Sequence, residues 1–242
     1  MSQLNEDIAG PAYRLTQIRI AKAIRKMAPG KNRLPTEEEL ARILGVSRST
    51  VREAVHRLVI EGMVTKRHGR GAFGHPAVAN LPFRLDRNLD IQELLKYTGR
   101  QLEISITPVE LTAPSQRMIR RVPECSDQQV FRWEAMHTLD GEMAILIVFE
   151  IPEAFFVQVP ETSGVPMSVR DFLKECTNRD PSYFISWIVA ESRPEVRERF
   201  DWGEEVMQNW EELFYDLQDT PICFAELFFN PGLMDVAVVT AL

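Results

Sequence analysis

The spacing of apolar side chains divides the chain into a helical first part and a strand-rich second part. In the first part, apolar residues recur three and four positions apart, the period of a buried helix face; they are Leu15, Ile18, Ala21, Ile24, Leu40, Ile43, Leu44, Val51, Ala54, Val55, Leu58 and Val59. From about residue 101 onward, β-prone runs end at turn signals such as Asp140-Gly141, and these runs predict strands. The whole pattern predicts an α+β fold.

The first part predicts three helices followed by a hairpin. Thr36 and Glu39 have the spacing of a capping box at the start of the second helix, and Gly45 suits its left-handed end. After a tight turn, Ser47 is placed to cap a third helix. Two short β-prone runs then flank a glycine-rich tip within residues 63–73, which predicts a hairpin. This order of elements is that of a winged helix-turn-helix domain.

The boundary between the two parts is marked by prolines and a lack of charge. Residues 74–82 contain two prolines, one glycine and no Lys, Arg, Asp or Glu. Proline biases the chain toward extended backbone. We therefore predict a flexible N-terminal arm at 1–12, a winged helix domain at 13–74, an extended linker at 75–88 and a second domain at 89–242.

The two parts carry opposite charge. Residues 1–80 hold 14 basic and 7 acidic side chains, whereas residues 81–242 hold 14 basic and 28 acidic ones. The basic part favours a polyanionic partner and the acidic part would be repelled by one; the alternative is chance clustering of solvated charge.

No apolar run approaches the ~20 residues of a membrane helix, and no secretory signal is visible. Three widely spaced cysteines fit reduced thiols, so we expect a cytoplasmic protein without a membrane partner.

The third helix and the hairpin have the chemistry of a DNA-binding surface. Arginines at the start of a recognition helix can donate twice to guanine, and short hydroxyl side chains can reach phosphates or base edges. Glycines at the hairpin tip let the backbone approach the duplex. The alternative is an ordinary solvated helix face. The candidate DNA-binding residues are Thr36, Arg48, Ser49, Thr50, Arg52, Lys66, Arg67, His68, Gly69 and Arg70.

These motifs resemble the GntR superfamily of bacterial repressors. Residues 34–41, 44–54 and 67–71 read LPTEEELA, LGVSRSTVREA and RHGRG, and the resemblance covers about residues 13–74. It implies DNA contacts by residues 48–50 and Arg52 on the recognition helix, and by residues 68–70 at the wing. Many members have an arginine early in the second helix where this chain has Glu38.

The second part is similar to the effector-binding (UTRA) domain of the HutC subfamily, which has the chorismate lyase fold. The sequence predicts helices near 90–97, 114–121, 168–177 and 195–200. It predicts strands near 101–112, 128–139, 142–150, 182–192, 205–217, 221–229 and 234–241. The resemblance covers about residues 89–242 and implies an antiparallel sheet that binds a small metabolite. The repeated Trp-Glu at 133–134 and 210–211 suggests two equivalent hairpins in one sheet.

The effector prediction follows from departures from the family pattern. Family members often carry two arginines that commonly help hold anionic ligands, and this chain has Ala135 and His137 at those positions. A glutamate that is often found on the following strand corresponds to Ile147 here. Carboxylates with aromatic rings could instead favour an amine or a zwitterion over a sugar phosphate. The alternative is that the rings are core and the glutamates are solvated. The candidate effector-binding residues are Trp133, Glu134, His137, Glu150, Trp210, Glu212 and Glu226.

Enzyme motifs are absent from the sequence. The four histidines have no metal-ligand spacing, and no nucleophile elbow, phosphate loop or dinucleotide fingerprint occurs. We therefore predict no catalytic residue, no metal and no cofactor. Two functions remain: a dimeric, ligand-released repressor that binds a palindromic double-stranded operator, or a DNA-binding protein whose second domain serves only dimerisation or protein contact.

Overall fold

The computed structural model describes residues 12–28, 30–81, 83–84, 91, 95, 99–157, 168–191, 193–201, 206–234 and 236–239. The chain divides into two compact units, Met1–Asn88 with Val236–Leu242, and Leu89–Asp235. Most of the predicted arm at 1–12 and most of the predicted helix near 90–97 lie outside the described residues. Both units mix helices with antiparallel strands, which confirms the α+β fold class.

The first unit has the predicted winged helix order. Helix α1 is Ala12–Arg25, α2 is Glu37–Leu44 and α3 is Arg48–Ile60, and they are followed by strands β1 (Val64–Arg67) and β2 (Gly71–Gly74). The strands pair antiparallel, with Val64 opposite Gly74. A single core joins the three helices to the hairpin through Ile20, Ile24, Leu40, Val51, Ala54, Val55, Leu58, Met63 and Val64.

The helix caps predicted from sequence are confirmed. The Thr36 side chain accepts a hydrogen bond from the Glu39 backbone, and Glu39 reaches back to Thr36. Gly45 ends α2 with a left-handed backbone at φ 69°, and Ser47 caps α3. Because the two caps lie two residues apart, they fix the tight turn between α2 and α3.

The segment interpreted as an extended linker is partly helical. Pro76–Ala79 forms helix α4, since proline is well tolerated in the first turn of a helix, and Ala79 is buried in the first core. Strand β3 (Phe83–Arg84) then pairs in parallel with β11 (Val236–Ala237). Residues 236–239 therefore belong with the first unit, whereas the sequence reading assigned them to the second domain as part of a longer strand.

Among the described residues of the second unit, seven strands form one antiparallel sheet in the order β4-β6-β7-β10-β9-β8, with β5 also pairing β6. The bounds are β4 Leu102–Ile106, β5 Glu110–Thr112, β6 Val130–Leu139, β7 Glu142–Pro152, β8 Pro181–Glu191, β9 Met207–Asp216 and β10 Pro221–Phe229. The single strand predicted over 101–112 is two strands, because Pro108 between them has no amide hydrogen to donate to the ladder.

Two hairpins form the centre of the sheet, as the repeated Trp-Glu suggested. Hairpin β6-β7 turns at Asp140 and Gly141, both with positive φ, and hairpin β9-β10 turns near Asp219. The hairpins meet where β7 pairs with β10, so that Glu150 lies opposite Phe224. Short α-helices of this unit include α5 (Gln116–Arg121), α6 (Val169–Cys176) and α7 (Pro194–Arg199).

The two faces of the sheet pack against different helices. Met118 of α5 packs with Leu213 and Phe224, and Val196 of α7 packs with Leu146, Val148 and Phe228. On the opposite face, Phe172 of α6 packs against Trp133. Cys125, Cys176 and Cys223 are all buried thiols without a disulfide.

Candidate nucleic-acid interface and effector-binding face

The start of α3 presents two arginines and two hydroxyl residues. Ser47 Oγ accepts a hydrogen bond from the Thr50 backbone at 3.1 Å and lies 2.7 Å from the hydroxyls of Ser49 and Thr50. The hydroxyl cluster therefore stabilises the first turn of the helix. Arg48 lies on this first turn and Arg52 on the next one, and each side chain is 63% exposed.

Thr36 serves a structural role in the structure. Its backbone amide and its hydroxyl both donate to Glu39 Oε2, at 2.8 and 2.9 Å, and its hydroxyl oxygen accepts from the Glu39 amide at 3.2 Å. These hydrogen bonds hold the pKa of Glu39 below its usual value. A contact of Thr36 with DNA stays a prediction.

The wing presents the remaining candidate residues to solvent. Lys66, Arg67, His68, Gly69 and Arg70 are all exposed. Gly69 has φ of 70°, a left-handed backbone that glycine adopts without strain, and it forms the tip of the hairpin. The ten candidate DNA-binding residues thus lie on the α2 cap, the start of α3 and the wing of one unit.

The surface also contains an acidic side chain, Glu37, which the sequence analysis did not predict as part of it. Glu37 accepts a hydrogen bond from Lys66 Nζ at 2.9 Å and another from Arg52 Nε at 3.2 Å, and Arg48 Nε lies 3.9 Å away. The hydrogen bond from Lys66, followed by that from Arg52, lowers the pKa of Glu37 against the opposing effect of burial. The signal available in the sequence was its place in the Glu37-Glu38-Glu39 run.

In the second unit, the seven candidate effector residues divide between the two faces of the sheet. Strand register places Glu134, Val148, Glu226, Glu211 and Trp187 directly opposite one another across five strands. Glu150 lies on this face too, two residues from Val148. The opposite face carries the other candidates, Trp133, His137, Trp210 and Glu212.

Arginines from α5 neutralise the central glutamates of this line. Arg117 lies 3.0 Å from Glu211 and 3.2 Å from Glu226. Arg121 lies 2.6 Å from Glu211, and its guanidinium stacks 3.9 Å from the centre of the Trp187 ring. Because Glu211 and Glu226 are 1% and 3% exposed, these partners offset the cost of burying two carboxylates.

Further arginines pair with Glu226 from a second side and with the outer glutamates, Glu134 and Glu150. Arg193 lies 2.6 Å from Glu226, Arg199 lies 2.8 Å from Glu134, and Arg132 lies 3.5 Å from Glu150. We call Arg117, Arg121, Arg132, Arg193 and Arg199 with Glu134, Glu150, Glu211 and Glu226 the arginine–glutamate face. Counting these described side chains, the face carries one more positive than negative charge.

Glu150 is another buried carboxylate of this face, with a side chain that is 2% exposed. Its Oε2 accepts hydrogen bonds from the Ser115 amide at 3.1 Å and the Ser115 hydroxyl at 2.9 Å. Burial raises the pKa of Glu150, and the two bonds from Ser115 and the charge of Arg132 oppose that rise. The pKa of Glu226 is also raised by burial, against the opposing charges of Arg193 and Arg117.

On the opposite face, the candidate aromatic residues are part of the core. Trp133 stacks on Phe149 at 5.0 Å, and Trp210 packs on Phe229 at 4.3 Å. His137 is buried, and its desolvation lowers its pKa to about 4, so its ring is neutral at pH 7. The carboxyl of Glu212 has its pKa raised to about 7 by burial.

The described part of the chain shows neither a metal-binding cluster nor a membrane-spanning helix. No group of three or more His, Cys, Asp and Glu among those residues is arranged to hold a metal ion. None of the helices described is both long enough and apolar enough to cross a membrane.

A winged helix-turn-helix unit with basic residues on its recognition helix and wing, followed by an antiparallel-sheet unit, defines a class of two-part DNA-binding proteins. Residues 19–73 match the family "Bacterial regulatory proteins, gntR family". These residues therefore correspond to the helix-turn-helix domain of GntR-family transcriptional regulators.

Curated proteins similar to this chain include transcriptional regulators. The HTH-type transcriptional regulator TreR of Bacillus subtilis (strain 168) is 30% identical over 118 residues, which are 47% of this chain and 47% of TreR. The HTH-type transcriptional regulator Mce2R of Mycobacterium tuberculosis (strain CDC 1551 / Oshkosh) is 38% identical over 81 residues, 34% of this chain and 31% of Mce2R. The chain thus spans less than half the length of these relatives.

Solved structures share the fold of the whole chain. The possible transcriptional regulator YydK from Bacillus subtilis superposes with a TM-score of 0.70 at 14% identity, over 96% of this chain and 100% of YydK. PhnF from Mycobacterium smegmatis superposes with a TM-score of 0.56 at 18% identity, over 93% of this chain and 99% of PhnF. The combination of a winged helix unit with this sheet unit is therefore a known architecture.

Proposed function

We propose that this protein is a cytoplasmic transcriptional repressor of the HutC type that binds a palindromic operator as a homodimer and is released by a small metabolite. The observation that carries the proposal is the capped start of α3, where Arg48 and Arg52 are exposed beside the basic wing. An N-terminal helix turn and its arginines are suited to the major groove, and the wing to the neighbouring backbone.

The operator can be identified without knowing the regulated genes. A pool of random-sequence DNA duplexes is passed over the full-length protein, and the retained duplexes are sequenced. We expect two half-sites about 34 Å apart, or one helical turn, because paired recognition helices enter successive major grooves. Retention of duplexes without any enriched sequence would contradict a role as a specific repressor.

The second unit offers a surface for a second copy of the chain. Strand β8 is at an edge of the sheet, and residues 181–190 on it carry no charge. Phe184 and Ile188 on this strand are 43% and 58% exposed. Edge strands usually carry charges that block pairing with other chains, and the short strand β4 at the opposite edge has Glu103. An uncharged edge with exposed apolar residues favours pairing with an identical strand.

The symmetry of β8 supports a two-fold contact. If two copies of β8 paired antiparallel about a two-fold axis at Ser186, Phe184 of each copy would lie opposite Ile188 of the other. This reciprocal contact is what an isologous interface requires. Ile188→Lys should convert the dimer to a monomer, as measured by light scattering after gel filtration. Leu111→Lys, at a residue of similar exposure on β5, is the matched control. A dimer that persists in Ile188→Lys would place the interface elsewhere.

The arginine–glutamate face supports a zwitterionic effector. Arginines and glutamates alternate on this face. A ligand with an ammonium and an acidic group could therefore replace one arginine–glutamate ion pair with two new ones, its ammonium pairing with the glutamate and its acidic group with the arginine. A plain amine is less suited, because the glutamates already have arginine partners. Calorimetry against amines, amino acids, phosphonates and sugar phosphates tests the class. Binding by phosphorylated compounds alone would contradict a zwitterion.

A thermal-shift screen separates a regulated repressor from a protein whose second unit only dimerises. A specific ligand raises the melting temperature by mass action, and a dimerisation unit shows no such response. For a hit, Arg193→Met should abolish the shift, whereas Arg100→Met, at an exposed ion pair with Asp140, should leave it. A hit that lowers operator affinity 5–150-fold corresponds to a coupling of about 1–3 kcal/mol.

A further inference from the structure

The acidic side chain in the middle of the basic DNA-binding surface has no role in the functions described so far. Glu37 is the first residue of α2, and its side chain is 23% exposed. Neither of its acidic neighbours shares its surroundings: Glu39 closes the capping box, and Glu38 is exposed. We propose that Glu37 is a specificity-determining residue, which positions Arg52 and Lys66 for base readout and weakens their attraction to phosphates. This inference rests on the proposed DNA binding.

The geometry makes Glu37 a shared acceptor for cations from two different elements. Its Oε1 accepts from Lys66 on the wing, and its Oε2 accepts from Arg52 on the recognition helix. Arg48 approaches the same Oε2 at 3.9 Å. One carboxylate thus holds the wing and the recognition helix in a fixed relation on the surface that meets DNA.

The atoms used by these bonds leave the arginine able to read a base. Arg52 donates to Glu37 through Nε, so the two terminal nitrogens of its guanidinium are not used in that bond. Bidentate contact with guanine O6 and N7 requires two such donors in a fixed direction. Glu37 therefore fixes the direction of the arginine while sparing donors that guanine would accept.

The negative charge has a second consequence for binding to DNA of arbitrary sequence. Non-specific binding comes from basic side chains that neutralise phosphates and release counterions. A carboxylate that holds these cations at 2.9 and 3.2 Å competes with the phosphates and is itself repelled by them. The affinity for DNA of arbitrary sequence therefore falls. At the correct base pair, directed hydrogen bonds from the positioned side chains offset that loss of affinity.

The test compares two single-charge removals on the same helix. Full-length wild type, Glu37→Gln and Glu38→Gln are titrated with the duplex enriched from the random pool and with a scrambled duplex of equal length, at several salt concentrations. For Glu37→Gln we expect about fivefold tighter binding to the scrambled duplex, since two surface ion pairs no longer compete. The slope of log K against log salt should become steeper by about one.

The ratio of specific to non-specific affinity is the decisive readout. It should fall at least about fivefold in Glu37→Gln and change little in Glu38→Gln, whose charge is removed without an ion pair to the wing or recognition helix. Glu37→Asp should keep non-specific binding weak, because the negative charge remains. Its ratio of specific to non-specific affinity should still fall in part, because the shorter side chain cannot hold both Arg52 and Lys66. Equal melting temperatures show that the effect is not a folding defect.

The possible failures are distinguishable. If wild type enriches a sequence and the ratio is unchanged in Glu37→Gln, or falls equally in Glu38→Gln, the specificity role is overturned and the repressor proposal stands. If wild type enriches no sequence at all, the proposed function is overturned and the role of Glu37 falls with it.

Discussion

Glu212 lies directly opposite Ser186 across strands β9 and β8, and the Ser186 hydroxyl donates a hydrogen bond of 2.9 Å to its carboxyl. Burial raises the pKa of Glu212 to about 7, and the bond from Ser186 only partly opposes the rise. The carboxyl lies on a different face from the arginines that neutralise the other buried glutamates. Its protonation state is therefore coupled to the stability of the second unit near neutral pH.

The first prediction concerns Glu212→Gln. The folded pKa lies above the unfolded value, so the wild-type unit loses stability as pH rises from about 4.5 to about 7. Glutamine has no such loss, and the variant should exceed wild type by about 3 kcal/mol at pH 8 and match it near pH 4. Urea unfolding of the second unit at both pH values measures this. Glu103→Gln, at an exposed glutamate on β4, is the control. Parallel curves for Glu212→Gln and wild type would disprove the coupling.

The second prediction concerns acid stability and His137. Its folded pKa of about 4 lies below the unfolded value of 6.5, so the folded unit loses stability as pH falls through that window. His137→Phe removes the group that must accept a proton on unfolding. Relative to their values at pH 8, the variant should lose about 2 kcal/mol less than wild type by pH 5. Equal losses in the two proteins would show that His137 is solvated in solution.

The third prediction concerns the cap of α2. Thr36→Ala removes the acceptor for the Glu39 amide and the hydroxyl donor to its carboxylate, and it should destabilise the first unit by about 1 kcal/mol. Thr36→Ser keeps both bonds and should recover most of that loss. Thermal unfolding followed by circular dichroism gives both values. If serine and alanine are equally destabilising, the methyl group of Thr36 matters more than its hydroxyl.

The fourth prediction concerns base reading by α3. Arg52→Ala should cost about 1–3 kcal/mol on the enriched duplex and less on a scrambled one, because a base contact is lost. Arg57→Ala is the control on the same helix; Arg57 lies in the last turn, with its guanidinium 5.9 Å from the Tyr13 ring. Fluorescence anisotropy measures both duplexes. Equal losses on the two duplexes would mean that Arg52 touches only phosphate.

The fifth prediction concerns the wing. Arg70 is exposed beside the glycine tip, so Arg70→Ala should weaken binding to every duplex by a similar factor. The slope of log K against log salt should flatten by about one for a lost phosphate contact. A loss confined to the enriched duplex would instead assign Arg70 a role in base or groove-shape readout.

Local signals made the first unit predictable from sequence. Thr36, Gly45 and Ser47 each act within four residues of chain, so their roles follow from spacing alone, and the structure shows the caps where they were expected. The strands of the second unit were also predictable, since alternation and turn residues mark them. The break at Pro108 and helix α4 at Pro76 were misjudged, because a single proline can either end an element or begin one.

Long-range pairings were beyond the sequence reading. The absence of arginine at Ala135 and His137 favoured an amine or zwitterion as ligand. In the structure, however, Arg117 bonds Glu211 across 94 residues of chain, and Arg193 bonds Glu226 across 33 residues. Which glutamates share a face depends on strand register between separate hairpins. Glu37 was passed over for the same reason, because its partners lie 15 and 29 residues further along.

The parallel pairing of Val236–Ala237 with Phe83–Arg84 makes the sheet unit an insertion within the winged helix unit. Val239 also lies against Gly62, so the returning segment is packed there and is not only hydrogen-bonded. An inserted unit is connected by two segments of chain, one entering it and one leaving it, in contrast to a unit attached by a single hinge. A cut near residue 235 would leave the two units covalently joined through residue 88. A cut near residue 88 would leave residues 1–88 held only by the β3–β11 pairing and the packing of Val239, so a proteolytic nick need not separate the units.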